Sequence, residues 1–236
     1  MSLDQYIQDL KELDINKMKL VKVDTEKQRK LFDYIVKTYH SYVPRTSFTG
    51  RRLDYLIMIN DKCIGAIGIG SAILALKERD DYIGWDKETR LKNLNMVANN
   101  WRFTLTDEAP KNSGTKALSL LYEQAKQDWM KYYGDKLVLL ETLVEAPHRG
   151  TVYKASGWKY LGKTKGYTIK WIPKDQEQEY TKKGWSVMQR GDNFHPDKIR
   201  VAKKTSSKKY IFIKPLNKAW RKYLLGKIEP SIKPKK

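Results

Sequence analysis

The 236-residue sequence predicts an α/β protein: a central mixed sheet flanked by helices, with a basic C-terminal extension. Three observations carry that prediction. First, β-rich apolar runs alternate with segments of helical periodicity, in the order β, α, β, β, α, β, α, β, α, β. Second, the runs at 53–59 and 63–73 are separated only by Asn60, Asp61 and Lys62, so they form a hairpin. Third, the charge is lopsided. The net charge is +20, and residues 198–236 alone hold 14 Lys/Arg against the single acid Glu229.

The elements follow in order. Residues 3–13 read as a short amphipathic helix and 18–23 alternate as a strand. Thr25 and Gln28 have capping-box spacing, starting a helix that carries Leu31, Tyr34, Ile35 and Thr38 on one face and ends near His40. A polar loop at 41–52 leads into the hairpin. Gly65, Gly68 and Gly70 lie inside its second strand, which marks bulges or close backbone contacts rather than a nucleotide loop. Then come a loop at 79–85, a helix at 86–98, a strand at 101–106, a loop at 107–113, and a helix at 114–132 stopped by Gly134. The most apolar strand is 137–144. A short helix at 151–155 precedes a second hairpin, 158–161 with 167–172. The composition turns polar near 173–183, which divides a core at 1–173 from an extension at 174–236 packed on or beside it, with frayed last residues. Within the extension, 199–204 and 209–215 suggest a strand pair and 217–225 a terminal helix.

Composition narrows the function. No apolar run reaches the ~18 residues of a membrane span, and the N-terminus mixes acids with polar residues, unlike a secretory signal. The one cysteine, Cys63, excludes an intramolecular disulfide or a cysteine-cluster zinc site. A cytoplasmic protein without membrane partners is expected. The basic segment, interleaved with Tyr210, Phe212, Trp220 and Tyr223, suits nucleic acid; a solvated tail and a membrane surface are the competing readings. Lys203, Lys204, Lys208, Lys209, Arg221 and Lys222 are the candidate contacts.

The motifs give candidate chemistry. A helix N-terminus presents free amides to an anion, and Lys111, Asn112, Ser113, Gly114 and Thr115 stand at such a junction; helix capping by Asn112 or Ser113 explains part of the same pattern. Glu141 and Glu145 share one face of a strand; Glu145, at its end, is a candidate general base, and Glu141 suits an ion pair with an arginine such as Arg102. Tyr153 either presents its hydroxyl to a cleft or packs its ring. The histidines, His40, His148 and His195, have no metal-ligand spacing, but one reaching a cleft suits proton transfer. A hydrolytic triad is rejected because no G-x-S-x-G elbow is present.

Three segments carry a resemblance: RDDYIGWDKETRLKNLNMVANNWRFTL (79–105), LLETLVEAPHRGTVYKASGWKYLGKTKGY (139–167) and KKYIFIKPLNKAWRKYLL (208–225) resemble the Druantia anti-phage protein A family. A more distant similarity joins Asn99–Leu120 and Gly150–Gly162 to the phage Mom DNA-modification family. Its strand arginine, P-R-N-S loop, strand-end acid and G-T-I-Y-x-A-S-G run match Arg102, Pro110 to Ser113, Glu145 and Gly150 to Gly157. Lys111 stands for the usual arginine and Glu145 for the usual aspartate. The Mom resemblance implies a GNAT-like (N-acetyltransferase) fold with two splayed parallel strands and transfer of a carbamoylmethyl group to adenine N6 in DNA.

On that basis Arg102, Ser113, Glu145 and Tyr153 are the expected catalytic set, with His40 as a second proton carrier, and the 111–115 junction would hold the donor. The donor is unknown: acetyl-CoA and other small-group donors are open, and the R/Q-x-x-G-x-G/A loop of ordinary GNAT enzymes is absent. A nucleobase-modifying enzyme is the first expectation. The second is a DNA-binding component of an anti-phage or transposon-associated system, with partner proteins to match. An acyltransferase of proteins or small amines and a nuclease are weaker alternatives.

Overall fold

The computed structural model describes residues 13–40, 48, 50–191, 196–204 and 208–229. The helix expected at 3–13, Leu13 apart, and His195 lie outside these residues. The element order is β1 (Met18–Lys22), α1 (Glu26–Tyr39), β2 (Arg52–Ile59), β3 (Lys62–Ser71), α2 (Lys77–Ile83), α3 (Lys87–Asn93), β4 (Val97–Leu105), α4 (Ser113–Tyr133) and β5 (Leu139–Val144). It continues with α5 (Thr151–Ala155), β6 (Lys159–Lys163), β7 (Tyr167–Pro173), α6 (Glu177–Lys182), β8 (Ser186–Arg190), β9 (Lys198–Lys204), β10 (Tyr210–Pro215) and α7 (Trp220–Leu224).

A seven-stranded sheet has the order β1-β2-β3-β4-β5-β10-β6, and a three-stranded sheet has the order β7-β9-β8. Every pairing in the larger sheet is antiparallel except β4 with β5. The fold is a mixed α/β sheet of the GNAT-like kind, with one parallel pair at its centre.

Local chemistry sets the frame. The Gln28 amide donates to Thr25 Oγ1 (3.2 Å) and the Thr25 amide donates to Gln28 Oε1 (3.0 Å), so α1 starts with the expected capping box. Its buried face, Phe32, Ile35 and Val36, covers one side of the sheet beside Leu56, Ala66 and Trp101. On the other side, α4 buries Ala117, Leu118, Leu121, Ala125 and Trp129 at helical spacing, in a cluster with Tyr153, Trp158 and Phe212. At Gly68 a Cβ would sit 2.5 Å from both Asp54 Oδ1 and Trp101 Nε1, so the glycine permits a close approach, as expected.

Four expectations change. Residues 79–85 were expected to loop, but Lys77–Ile83 is helical. Its inward positions include Arg79 and Asp80, charged residues that hide the apolar periodicity. The helix expected at 86–98 stops at Asn93, because Val97 and Ala98 already pair with Leu139 and Leu140. The expected hairpin of 158–161 with 167–172 does not form: β6 pairs β10 and β7 pairs β9. The expected pair of 199–204 with 209–215 is likewise divided between the two sheets. Ile211, Phe212 and Ile213 are all 0 % exposed, and an apolar run with no polar side needs cover on both faces, which a slot between β5 and β6 provides.

Candidate functional site

The parallel ladder between β4 and β5 covers only Val97↔Leu139, Ala98↔Leu140 and Asn99↔Glu141, after which the strands part. Two features open the wedge. A register shift between Gly68 and Ile69 leaves Trp101 as an extra residue on β4, which bends the strand. Side chains then replace the lost ladder. The Thr142 hydroxyl donates to the Asn100 carbonyl (2.9 Å), and Asn100 Nδ2 donates to the carbonyls of Gly68 (2.8 Å) and Arg102 (2.9 Å). The Tyr153 hydroxyl donates to Asn100 Oδ1 (2.7 Å). Every polar atom of the Asn100 side chain is thus engaged, as its 3 % exposure demands.

The result is a cavity of about 440 Å³. Phe103, Leu105, Val144 and Val152 give it apolar walls; Arg102, Arg149, His40 and His148 add cationic or ionisable groups. No carboxylate lines it among the described residues. Arg102 Nη1 donates to the Trp101 carbonyl (2.6 Å), and its guanidinium lies 4.6 Å from the Trp101 ring centroid. His40 comes from the end of α1. Burial, then the charges of Arg102 and His148, lower its pKa to about 4, so its ring is neutral at pH 7. The arginines can hold an anion, and an anion there offsets part of the charge that disfavours protonation of His40.

The expected site residues divide. Arg102, Tyr153 and His40 line the cavity. Tyr153 is 7 % exposed, with its ring edge-on to Trp158 (4.9 Å) and Phe103 (6.2 Å) and stacked on Phe212 (5.9 Å). Of the 111–115 junction, only Gly114 reaches the lining. Ser113 is the first residue of α4, 1 % exposed, and its Oγ has no hydrogen-bond partner among the described residues. Asn112 is the N-cap, in left-handed conformation and without a side-chain cap; Thr115 Oγ1 donates to its carbonyl (3.0 Å); Lys111 is exposed. Glu145 lies outside the lining and pairs with Lys209 (3.1 Å).

Glu141 meets Arg79, not Arg102: both are 0 % exposed and joined at 2.7 Å. Arg102 lies beyond the point where the strands diverge, whereas α2 brings Arg79 over the base of the wedge. The basic candidates fall in three places: Lys203 and Lys204 on β9, Lys208 and Lys209 ahead of β10, and Arg221 and Lys222 on α7. Lys203 Nζ donates to the Lys183 carbonyl (2.7 Å) and Arg221 Nη2 to the Tyr82 carbonyl (3.0 Å).

Sequence reasoning missed Asn100, Thr142 and Arg149. Adjacent asparagines in an apolar strand, Asn99 and Asn100, were the available signal, since a buried amide must be satisfied by specific partners. Among the described residues no group of three or more His, Cys, Asp or Glu could hold a metal ion. No described helix is long and apolar enough to cross a membrane.

Solved structures with a similar trace include a Salmonella typhimurium acetyltransferase that modifies the N-terminal serine of a ribosomal subunit protein, with TM-score 0.46 and 8 % identity over 87 % of this chain and 99 % of that one. Another is an Escherichia coli ribosomal-protein alanine N-acetyltransferase, with TM-score 0.41 and 11 % identity over 85 % and 94 %. The fold assignment rests on strand order and the parting of β4 from β5. A Druantia protein DruA from Escherichia coli (strain UMEA 4076-1) is 34 % identical over an alignment of 149 residues that covers 55 % of this chain. The match spans 36 % of that relative's length. The family model described as "Druantia protein DruA" matches residues 2–170, a span that includes β4, β5 and α5 and so the walls of the wedge. With most of its length inside that match, the chain belongs to the Druantia protein DruA family.

Proposed function

We propose that the wedge transfers a small acyl- or carbamoylmethyl-type group to a base amine in DNA, in the service of anti-phage defence. One observation carries the reading: where β4 and β5 part there is a cavity with apolar walls, two arginines, two histidines and no carboxylate among its described lining. Such a lining suits a flat apolar group beside an anion. Arg102 and Arg149 hold the donor's anionic part or a DNA phosphate. The exocyclic amine forms the new N–C bond while the donor's leaving group departs with the bonding electron pair. The amine's proton passes to His40 once the donor's anion offsets the Arg102 charge that otherwise weakens it as a base. Tyr153, fixed through Asn100, shapes the wall against which the base lies. The base must leave its stack to enter.

Nucleoside mass spectrometry of DNA from expressing cells tests this. Wild-type protein adds a mass to one nucleoside and Arg102→Ala removes that signal; unaltered spectra with the wild type reject the reading. Glu145→Gln separates the proton acceptors: if His40 acts, the added mass persists.

A second reading is favoured by one observation. The Tyr153 hydroxyl is committed to Asn100, and Ser113 is sealed away from the cavity. This arrangement suits a DNA-binding module without chemistry. In that case Tyr153→Phe and Glu145→Gln leave binding intact, while neutralising Lys203, Lys204, Lys208 and Lys209 weakens it and lowers its salt dependence.

A further inference from the structure

We propose that the exposed strip running from the wedge across β10 and β6 holds single-stranded DNA, with tyrosine rings as stacking platforms and lysines at the backbone. This deepens the DNA reading of the wedge and rests on it for where the strand leads and for DNA over RNA. Val144 lines the wedge, and its partner across the ladder is Tyr210 on β10. Tyr210 in turn pairs with Lys163 on β6, the edge strand of the sheet. Two strand spacings, about 10 Å, therefore separate the cavity wall from the sheet edge.

Along this strip the rings form a chain. Tyr153 stacks on Phe212 (5.9 Å), Phe212 meets Tyr160 (5.4 Å), and Tyr160 meets Tyr210 (6.1 Å). The inner two are buried, but Tyr160 is 43 % exposed, a large value for an aromatic residue on a sheet. The Lys163 ammonium sits 4.7 Å from the Tyr210 ring centroid, so a cation and a ring are offered together. Lys165 and Lys208 are exposed nearby in the chain. Past the β6–β7 turn, in the smaller sheet, Tyr167 is 54 % exposed and opposite Lys204. Among the described residues, Glu145 is paired with Lys209, and Glu78 lies 4.0 Å from where a Cβ on Gly162 would be.

Charge complementarity selects a polyanion. The rings select an unpaired one, because duplex bases have both faces covered by their neighbours, whereas a single strand can lay its bases on tyrosines. An acidic protein surface would use the lysines but leave the rings idle.

Fluorescence anisotropy on the full chain tests the proposal. The probe is a labelled single-stranded DNA oligonucleotide, compared with the same sequence as duplex and as RNA. Single-stranded DNA binds tightest. Tyr160→Ala weakens it about fivefold or more, and Tyr160→Phe, which keeps the ring, restores it. Lys163→Gln lowers the slope of log affinity against log salt by about 0.7. Melting curves check that each variant folds, and Lys163→Gln carries the test if Tyr160→Ala does not. Duplex or RNA binding as tight as single-stranded DNA, or a folded Tyr160→Ala at wild-type affinity, overturns the proposal. So does an unchanged salt slope in Lys163→Gln. The binding assay needs no chemistry. A chain that uses Tyr160 to bind the single strand yet leaves DNA mass unchanged keeps this inference and removes the transfer reading; modification with duplex preference does the reverse.

Discussion

Glu141→Leu is expected to destabilise the protein by about 3–5 kcal/mol, the usual cost of stranding one half of a buried ion pair. The structure accounts for the size. Arg79 and Glu141 are both 0 % exposed, and Arg79 also donates to Asp80 Oδ1 through Nε (2.9 Å) and Nη2 (2.7 Å). Arg90 holds the other Asp80 oxygen at 2.9 Å. Two guanidinium groups thus face two carboxylates, and losing Glu141 leaves an excess positive charge with little water to screen it. The Ile73 amide, which donates to Glu141 Oε1 at 2.6 Å, loses its acceptor as well. For a chain of this size that cost lowers the melting temperature by about 6–20 °C. Thermal unfolding followed by circular dichroism at pH 7 measures it, and added salt should change the gap little because the pair is sealed. The double variant Arg79→Met/Glu141→Leu removes both charges and should recover at least half of the loss. A single variant melting within about 2 °C of wild type, or a double variant no better than the single, refutes the argument.

Two further outcomes follow from the wedge. The His40 pKa falls from 6.5 to about 4, through burial first and the charges of Arg102 and His148 after it. Between those values the unfolded chain binds a proton that the folded chain refuses, so the stability His40 contributes is present above pH 6.5 and lost as pH falls towards 4. His40→Gln should flatten melting temperature against pH in that window; a curve parallel to wild type contradicts it. Gly150 has φ +69°, and a Cβ there would lie 2.4 Å from the Phe212 ring. Gly150→Ala should therefore lower stability by about 2–4 kcal/mol in urea unfolding, with an unshifted midpoint as the contrary result.

Much of the first half of the chain was legible because its signals are local. The capping box of Thr25 and Gln28, the short turn at Asn60 and Asp61, and Gly134 at the end of α4 each act within a few residues. Pairing in the second half is decided at long range. Nothing near Tyr210 says that it will meet Val144 and Lys163 rather than Lys204. The site followed the same division. Arg102 and Tyr153 sit on readable elements at the parting strands. Glu145 was expected to join them but ends beside Lys209, because β10 brings that lysine to the end of β5. Arg79 was hidden because a buried guanidinium looks like a surface residue until its carboxylates are placed around it.

The late arrival of β10 has a consequence for synthesis. A ribosome releases β5 and β6 well before residues 210–215, so a nascent chain carries two unfilled strand edges with a gap between them. Because β10 pairs with both β5 and β6, that side of the sheet closes only once a strand made later in the chain has bonded to each of them.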